Sequence, residues 1–405
     1  MSLSFNVEKF IGEKITGRSK SLFENDIENN SAELQKEIQG AKVLVIGAAG
    51  TIGSSYTKNL LRFNPGKLVI VDTNENGLTE FVRDCRSRND IKLPKEFISY
   101  PMPLGSAVFY KMLEVEGPFD IIANFAAHKH VRSEKDVFSV EAMIDNNVFK
   151  ALDFLEYLKK SPPKHFFCVS TDKAANPVNV MGASKKLMED LIMSYTKDFK
   201  ITTARFANVA FSNGSLLAGF IDRILKKQPL SCPSDVKRFF VSPIESGQIC
   251  LLACILGKSS EIFFPKLNPE KDLVNFKDIA LNFLPAIGFQ ADFCGSEQEA
   301  KDKAQSRTDT DNTYPIYIFD TDTSGEKLYE EFFTEEETIN LDQFESLGYI
   351  KDIEIQTKES VHQSIDKLKD LFNTKTNKED IVGLLKQVLP GFEHIETGKN
   401  LDQKM

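Results

Sequence analysis

Apolar residues follow two rhythms along the chain. Lys42 to Ile46 is a run of β-formers without alternation, as expected of a parallel strand buried on both faces, and further β-like runs follow at Lys67 to Val71, Glu96 to Tyr100, Ile121 to Phe125, His165 to Val169, Ile201 to Arg205 and Glu261 to Phe264. Helix-sized segments such as Glu141 to Lys159 and Ser184 to Phe199 separate them. This alternation predicts βαβ units and an α/β, doubly wound parallel sheet with right-handed crossovers. Residues 1–40 place Phe5, Phe10, Ile11, Ile15, Leu22, Phe23, Ile27, Leu34 and Ile38 at loose helical spacing, a helical arm that must pack on something and that Gly40 ends. The regular domain runs over 41–205, with part of 206–265 returning to it. Turn-rich pieces around Gly214, Pro229, Pro233 and Pro243 predict a smaller lobe over 206–350. Within it, Gly295 to Asp311 is polar enough for a solvated helix or an excursion, and Tyr314 to Phe319 returns to a strand pattern. Residues 351–405 form a helical extension in which Ile381, Leu384, Leu385, Val388 and Leu389 mark an amphipathic helix.

Composition narrows the function. With 405 residues, 41% hydrophobic and 27% charged, the chain folds into two or three domains. A net charge of −9 excludes a global positive field for nucleic acid or anionic lipid, so a phosphate ligand must be held locally. The longest apolar run, near Ile249 to Ile255, is far short of the ~20 residues that cross a bilayer, and Met1 to Lys9 lacks a signal-peptide core. A soluble, cytoplasmic protein is expected. Cys85, Cys168, Cys232, Cys250, Cys254 and Cys294 form no CxxC pair. Cys250 and Cys254 read as small core residues, and with His128 and His130 the only close histidine pair, no metal site is expected. Amphipathic helices at both ends suggest a homo-oligomer, although the same stripes could fold back on their own domain.

The sharpest signal is Gly47-Ala-Ala-Gly50-Thr-Ile-Gly53, which follows the first strand and opens a helix, with Asp72 closing the second strand 19 residues beyond Gly53. In such a dinucleotide site Gly47 permits the tight turn, Gly50 lets the backbone approach a pyrophosphate, and Gly53 lets helix and strand pack closely. Helix N–H groups then hold the pyrophosphate. Asp72 accepts from a ribose hydroxyl and repels a 2′-phosphate, which favours NAD over NADP; otherwise it merely closes the turn Asp72 to Gly77.

Two further stretches carry a resemblance: Ser170-Thr-Asp-Lys-Ala-Ala-Asn-Pro-Val-Asn-Val-Met-Gly-Ala-Ser-Lys185 and Arg205-Phe-Ala-Asn-Val-Ala-Phe-Ser-Asn-Gly-Ser215. Over roughly residues 41–265 the chain resembles the UDP-N-acetylglucosamine 4,6-dehydratases of the extended short-chain dehydrogenase/reductase superfamily, of the bacterial polysaccharide-biosynthesis type. The resemblance implies a tightly bound NAD that is regenerated each turnover, near Ala49, Thr51, Ile52, Asn74, Ala126, Ala127 and Lys185. It also implies a UDP-sugar near Lys129, Asn208, Leu216, Leu217, Phe220 and Arg238. Most relatives carry Tyr where this chain has Met181, four residues before Lys185 on the same helix face. A thioether cannot take the hydroxyl proton that such a phenol takes, so either activity is lost or another group is the base.

Thr171, Asp172 and Lys173 supply candidates, because an adjacent acid and amine can divide proton transfers if their pKa values shift toward neutrality. The expected assignment gives Lys173 the C5 proton of the sugar and Asp172 the C6 hydroxyl proton, with Thr171 on the C4 oxygen and Lys185 on the nicotinamide ribose. Asp172 is also the expected acceptor of the C4 hydroxyl proton. Met181 accompanies retention at C5 within the family. Three departures stand out: Pro101-Met-Pro-Leu-Gly105 replaces an adenine-holding acidic motif, Lys150 in Asn147-Val-Phe-Lys150 occupies a close-packing position, and the membrane spans of larger relatives are missing from this sequence. The competing functions are a UDP-sugar C4 epimerase and a non-catalytic NAD-binding scaffold.

Overall fold

The computed structural model describes residues 5–321, 325, 327 and 329–395. Its strands, in chain order, are β1 (Lys42–Ile46), β2 (Lys67–Asp72), β3 (Glu96–Pro101), β4 (Ile121–Asn124), β5 (His165–Val169), β6 (Ile201–Ala204), β7 (Asn208–Val209), β8 (Leu230–Pro233), β9 (Lys237–Val241), β10 (Ile262–Pro265), β11 (Leu273–Asn275), β12 (Gln290–Cys294), β13 (Thr313–Phe319), β14 (Ile339–Asn340) and β15 (Leu347–Ile350). Nine of them form one sheet in the order β14-β15-β10-β6-β5-β4-β1-β2-β3. From β10 to β3 every pairing is parallel, and β14 and β15 add an antiparallel edge. The central runs are strands because helices cover both faces: Leu44, Val69, Ile70, Ile122 and Phe167 are all buried, whereas the edge strand β3 has no fully buried residue.

The order reverses between β1 and β4. Open α/β sheets bind ligands at such a switch point, outside the carboxyl ends of the strands. The turns leaving β1, β4, β5 and β6 all open on this edge, and they carry the glycine motif, Ala126 to Lys129, Thr171 to Lys173 and Arg205 onward. Two three-stranded sheets, β11-β9-β7 and β12-β13-β8, build the lobe above it around a second core that contains Leu217, Phe220 and Phe283.

Several details differ from the sequence reading. Leu347–Ile350, expected in the lobe, pairs with β10 and extends the main sheet. The helix expected from Glu141 begins at Val137 and contains a π-turn, Asp145–Phe149. The next helix is Val180–Ser194, capped by Asn179, whose side chain accepts from the Gly182 N–H. The polar stretch after Gly295 is a helix, Glu297–Ser306, and it buries Ala300 and Ala304.

The terminal arms fold back on the chain itself. Phe23, Ile27, Leu34 and Ile38 enter the main core, and Phe10, Ile11 and Ile15 enter the second one. Each such side chain contributes roughly 1.5–3 kcal/mol through burial. At the other end, helices Lys358–Phe372 and Lys378–Val388 bury Val361, Ile365, Leu368, Ile381 and Leu385. The apolar stripes that suggested a homo-oligomer are thus covered within one chain, and that argument for a second copy lapses. Beyond the helices, Glu393 and Ile395 donate their N–H groups to the carbonyls of Pro177 (3.2 Å) and Val178 (3.0 Å), and Gly325 donates to Ile395 (3.0 Å). Among the described residues, no helix is long and apolar enough to cross a membrane.

Candidate active site

Each glycine of the first turn meets a different constraint. Gly47 has φ +78°, and a Cβ there would lie 2.7 Å from the Ala126 nitrogen; a Cβ on Gly53 would lie 2.2 Å from the Gly47 carbonyl oxygen. Gly50 is different, since an added Cβ would meet the Gly47 carbonyl oxygen at 3.4 Å, an ordinary contact. Its bareness serves the open side of the turn, where a methyl would fill a cradle. Gly50 also caps the helix Thr51–Leu61 without a side-chain acceptor, which leaves first-turn N–H groups facing that cradle. Asp72 ends β2 with Oδ2 accepting from Ala49 N–H (2.9 Å) and Oδ1 from Asn74 N–H (2.8 Å), so its carboxylate is fixed beside the turn. Asn74 itself caps the next helix through Gly77 N–H. This arrangement fits a dinucleotide with an unsubstituted ribose.

The loop after β4 is clamped from behind. Asn124 accepts from Ala126 N–H (3.0 Å), and Asn147, presented by the π-turn, accepts from His128 N–H (2.8 Å) and donates to His128 O and the Ser184 hydroxyl (3.0 Å each). The sequence singles out Asn147 only as part of a motif, and a π-turn has no spacing signature that would reveal this clamp. Lys150, the departure in that motif, lays its stem along Gly105, where a Cβ would meet its Cγ at 3.2 Å, and pairs its ammonium with Asp145 at 2.9 Å.

Beside the glycine turn lies a cleft of about 310 Å³ lined by Ile52, Ala127, Lys129, Thr171, Asp172, Lys173, Met181, Lys185, Asn208, Leu216 and Leu217, with His130, Ser212, Phe206 and Phe276. A cavity of this size suits a small-molecule ligand. Of the residues assigned to substrate, Phe220 is instead packed in the second core, and Arg238 lies behind the cleft lining, donating to the carbonyls of Lys237 and Lys327 (2.9 Å each). Met181 lies at the cleft wall, almost fully buried. Lys185 donates to the Val169 carbonyl (2.7 Å), and burial lowers its pKa.

Thr171, Asp172 and Lys173 start a short 3₁₀ turn at the carboxyl end of β5. Asp172 Oδ1 accepts from the Thr171 hydroxyl (2.8 Å), from Lys173 N–H (2.9 Å) and from Lys173 Nζ (3.0 Å). A residue that the sequence reading missed joins them. Glu330, only 4% exposed, places Oε1 3.6 Å from Lys173 Nζ and 3.9 Å from Arg238 Nη2. Nothing in the acidic run around it separates Glu330 from a solvated charge; only the fold brings it here. Burial disfavours the Lys173 charge, but Asp172 and Glu330 outweigh that and raise its pKa. Lys173 is therefore an ammonium before substrate arrives, which adds a condition to its expected role as a base.

Behind the cleft, Ser170 donates to Glu189 (2.6 Å), and the buried Arg205 binds Glu189 (2.7 Å) and Glu337 (2.9 Å). Among the described residues, no group of three or more His, Cys, Asp or Glu could hold a metal ion.

Fold and cleft together define a class, the doubly wound α/β proteins that open a ligand cleft at the switch point of a parallel sheet. Residues 43–352 match the family model described as "Polysaccharide biosynthesis protein", and the chain belongs to that family. It is 28% identical over 370 residues to a Methanocaldococcus jannaschii protein named "Uncharacterized membrane protein MJ1061", covering 85% of this chain and 95% of that one. It is 27% identical to the capsular polysaccharide biosynthesis protein CapD of Staphylococcus aureus over 82% of this chain, and it spans only 50% of that relative's length. The fold resembles Pen from Bacillus thuringiensis, at TM-score 0.61 and 20% identity over 79% of this chain and 90% of that one. It also resembles a dTDP-glucose 4,6-dehydratase from Streptomyces venezuelae solved with NAD, at TM-score 0.53 and 15% identity over 72% and 88% of the two chains.

Proposed function

We propose that the protein is an NAD-dependent UDP-N-acetylglucosamine 4,6-dehydratase that yields a UDP-4-keto-6-deoxy-N-acetylhexosamine, with retention at C5, for a surface-glycan precursor. The observation that carries this reading is the pair of buried Asp172 and half-buried Lys173 in the cleft, at the strand end next to the dinucleotide cradle, with Met181 in place of a phenol. Bound NAD would accept a hydride from C4 and supply one to C6. The cradle of Gly47, Gly50 and Gly53 holds the pyrophosphate, and Asp72 the adenosine ribose.

The remaining chemistry is proton movement by this chain. Asp172, an acceptor of three hydrogen bonds, takes the C4 hydroxyl proton on oxidation and gives it to the C6 hydroxyl, which leaves as water. Lys173, once neutral, takes the acidified C5 proton, exchanges its N–H protons with solvent, and reprotonates C5 from the same face. Thr171 supports the C4 oxygen, Lys185 the nicotinamide ribose, and Lys129 and Asn208 the sugar nucleotide. An epimerase would need no acid for a leaving hydroxyl.

Incubation with UDP-N-acetylglucosamine tests the reading by mass. The product should be lighter by one water and carry one solvent deuteron at C5 when made in D₂O. Asp172→Asn and Lys173→Ala should each lower the rate by about 10²–10⁴-fold, the usual worth of a positioned acid or base. Unchanged mass with a new sugar would indicate epimerisation, and bound NAD without turnover a scaffold; either result replaces this proposal.

A further inference from the structure

Glu330 lies apart in sequence from the groups it meets. Facing it are Asp172 and Lys173 from the 3₁₀ turn, Arg238 from β9, and the charge of Lys327 from its own segment. The Lys173 ammonium sits between two carboxylates, Asp172 at 3.0 Å and Glu330 at 3.6 Å. Asp172, Glu330, Lys173 and Arg238 in direct contact sum to zero charge as they stand. Only a free amine can remove a proton from C5, so Lys173 must first lose one. Moving that proton to Glu330 leaves the array neutral, and no ion has to cross the low-dielectric wall.

We propose that Glu330 is the positioning residue that takes the Lys173 proton when substrate fills the cleft, releasing the neutral amine that attacks C5. The inference rests on the dehydratase reading. In the step, an N–H bond of Lys173 breaks as an O–H bond forms on Glu330. The C5–H bond then breaks as the Lys173 N–H re-forms, and its electron pair enters the C4–C5 enolate. Lys173 returns its proton to C5 at the end, and Glu330 gives back the stored one after product leaves. The 3.6 Å contact must shorten to hydrogen-bond length, as catalytic contacts do on substrate binding. Burial and the nearby Asp172 raise the proton affinity of Glu330, while Lys173 and Arg238 oppose the rise.

Wild-type protein and Glu330→Gln are to be compared with UDP-N-acetylglucosamine across pH, with thermal unfolding as the control for folding. Glutamine keeps the shape but cannot store a proton. The expected result is a kcat lower by about 10- to 100-fold at neutral pH, a fraction of what direct proton transfer is worth, with KM changed less than about threefold. The rising limb of the kcat profile should also move to higher pH, because the Lys173 proton must now leave to solvent, and Glu330→Asp should return the limb toward its wild-type position. A kcat unchanged, or reduced by the same factor at every pH, overturns the inference. If Glu330→Gln does not fold, the ¹⁵N shift of Lys173 Nζ in the wild-type complex with UDP-4-deoxy-N-acetylglucosamine decides: a neutral amine supports the proposal and a persisting ammonium overturns it. Absence of dehydration by the wild type would instead remove the functional reading itself.

Discussion

Gly50 and Gly53 look equivalent in the motif, but the space around them is not. A methyl on Gly53 strikes the Gly47 carbonyl at 2.2 Å, while one on Gly50 stands 3.4 Å from the same oxygen. Gly53→Ala should therefore destabilise the protein by about 1–3 kcal/mol, the usual cost of overpacking. Gly50→Ala should leave the urea midpoint nearly unchanged yet abolish NAD binding in a calorimetric titration. Equal losses of stability, or undiminished binding by Gly50→Ala, would contradict this account of the turn. At this scale the sequence is readable where backbone geometry forces a residue type, as at Gly47 and Gly53. It is silent where a side chain matters through a distant contact. Glu330 and Asn147 are of that kind, and so is Arg238, whose sequence context suits a diphosphate but whose guanidinium the fold turns toward Glu330.

Among elements, β1, β2, β4 to β6 and β10 were legible because burial on both faces leaves uninterrupted apolar runs, and the edge strand β3 through its β-formers between two helical segments. The antiparallel strands β14 and β15 were not: β14 is only two residues long, and β15 follows β14 rather than a helix, so no βαβ alternation points to it. Nor was the strap that fastens Pro177 and Val178 from outside. The buried Glu134 accepts from Val180 N–H (2.6 Å) and binds His394 and Lys378, so one carboxylate ties the start of the helix Val180–Ser194 to the C-terminal tail. Chain termination after Gly391 removes His394 together with the two N–H donors to Pro177 and Val178. Such a variant should keep its far-UV circular dichroism but lose at least about tenfold in kcat, since misplaced catalytic groups are costly even when present. Full activity in the shortened protein would show that the strap does not support the turn.

For the molecule as a whole, the Arg205 array is the joint at which β6, the helix Val180–Ser194 and the segment bearing Glu337 meet. Burial pushes the Glu189 carboxyl up, but Arg205, Lys186 and Ser170 outweigh it and hold its pKa below the ordinary value. A carboxyl depressed on folding contributes stability that is present above its unfolded pKa and is lost as pH falls through the folded one. Urea midpoints should accordingly fall as pH drops below about 4.5, the range in which an ordinary carboxyl titrates. Glu189→Ala should cost roughly 3–5 kcal/mol at neutral pH, because Arg205 stays buried with one carboxylate fewer. A loss under 1 kcal/mol would mean that the array is not a structural joint.

The tail that lies along Pro177 and Val178 also sets an order of events at the ribosome. The turn carrying Asp172 and Lys173 emerges long before Glu393 and Ile395 are made. At translation speeds of about 5–20 residues per second, the interval is on the order of 10–40 s. During it the sheet can assemble, but the segment after the Asp172–Lys173 turn lacks its outer hydrogen bonds, so a nascent chain holds the cleft before it holds the tail that fastens one side of it.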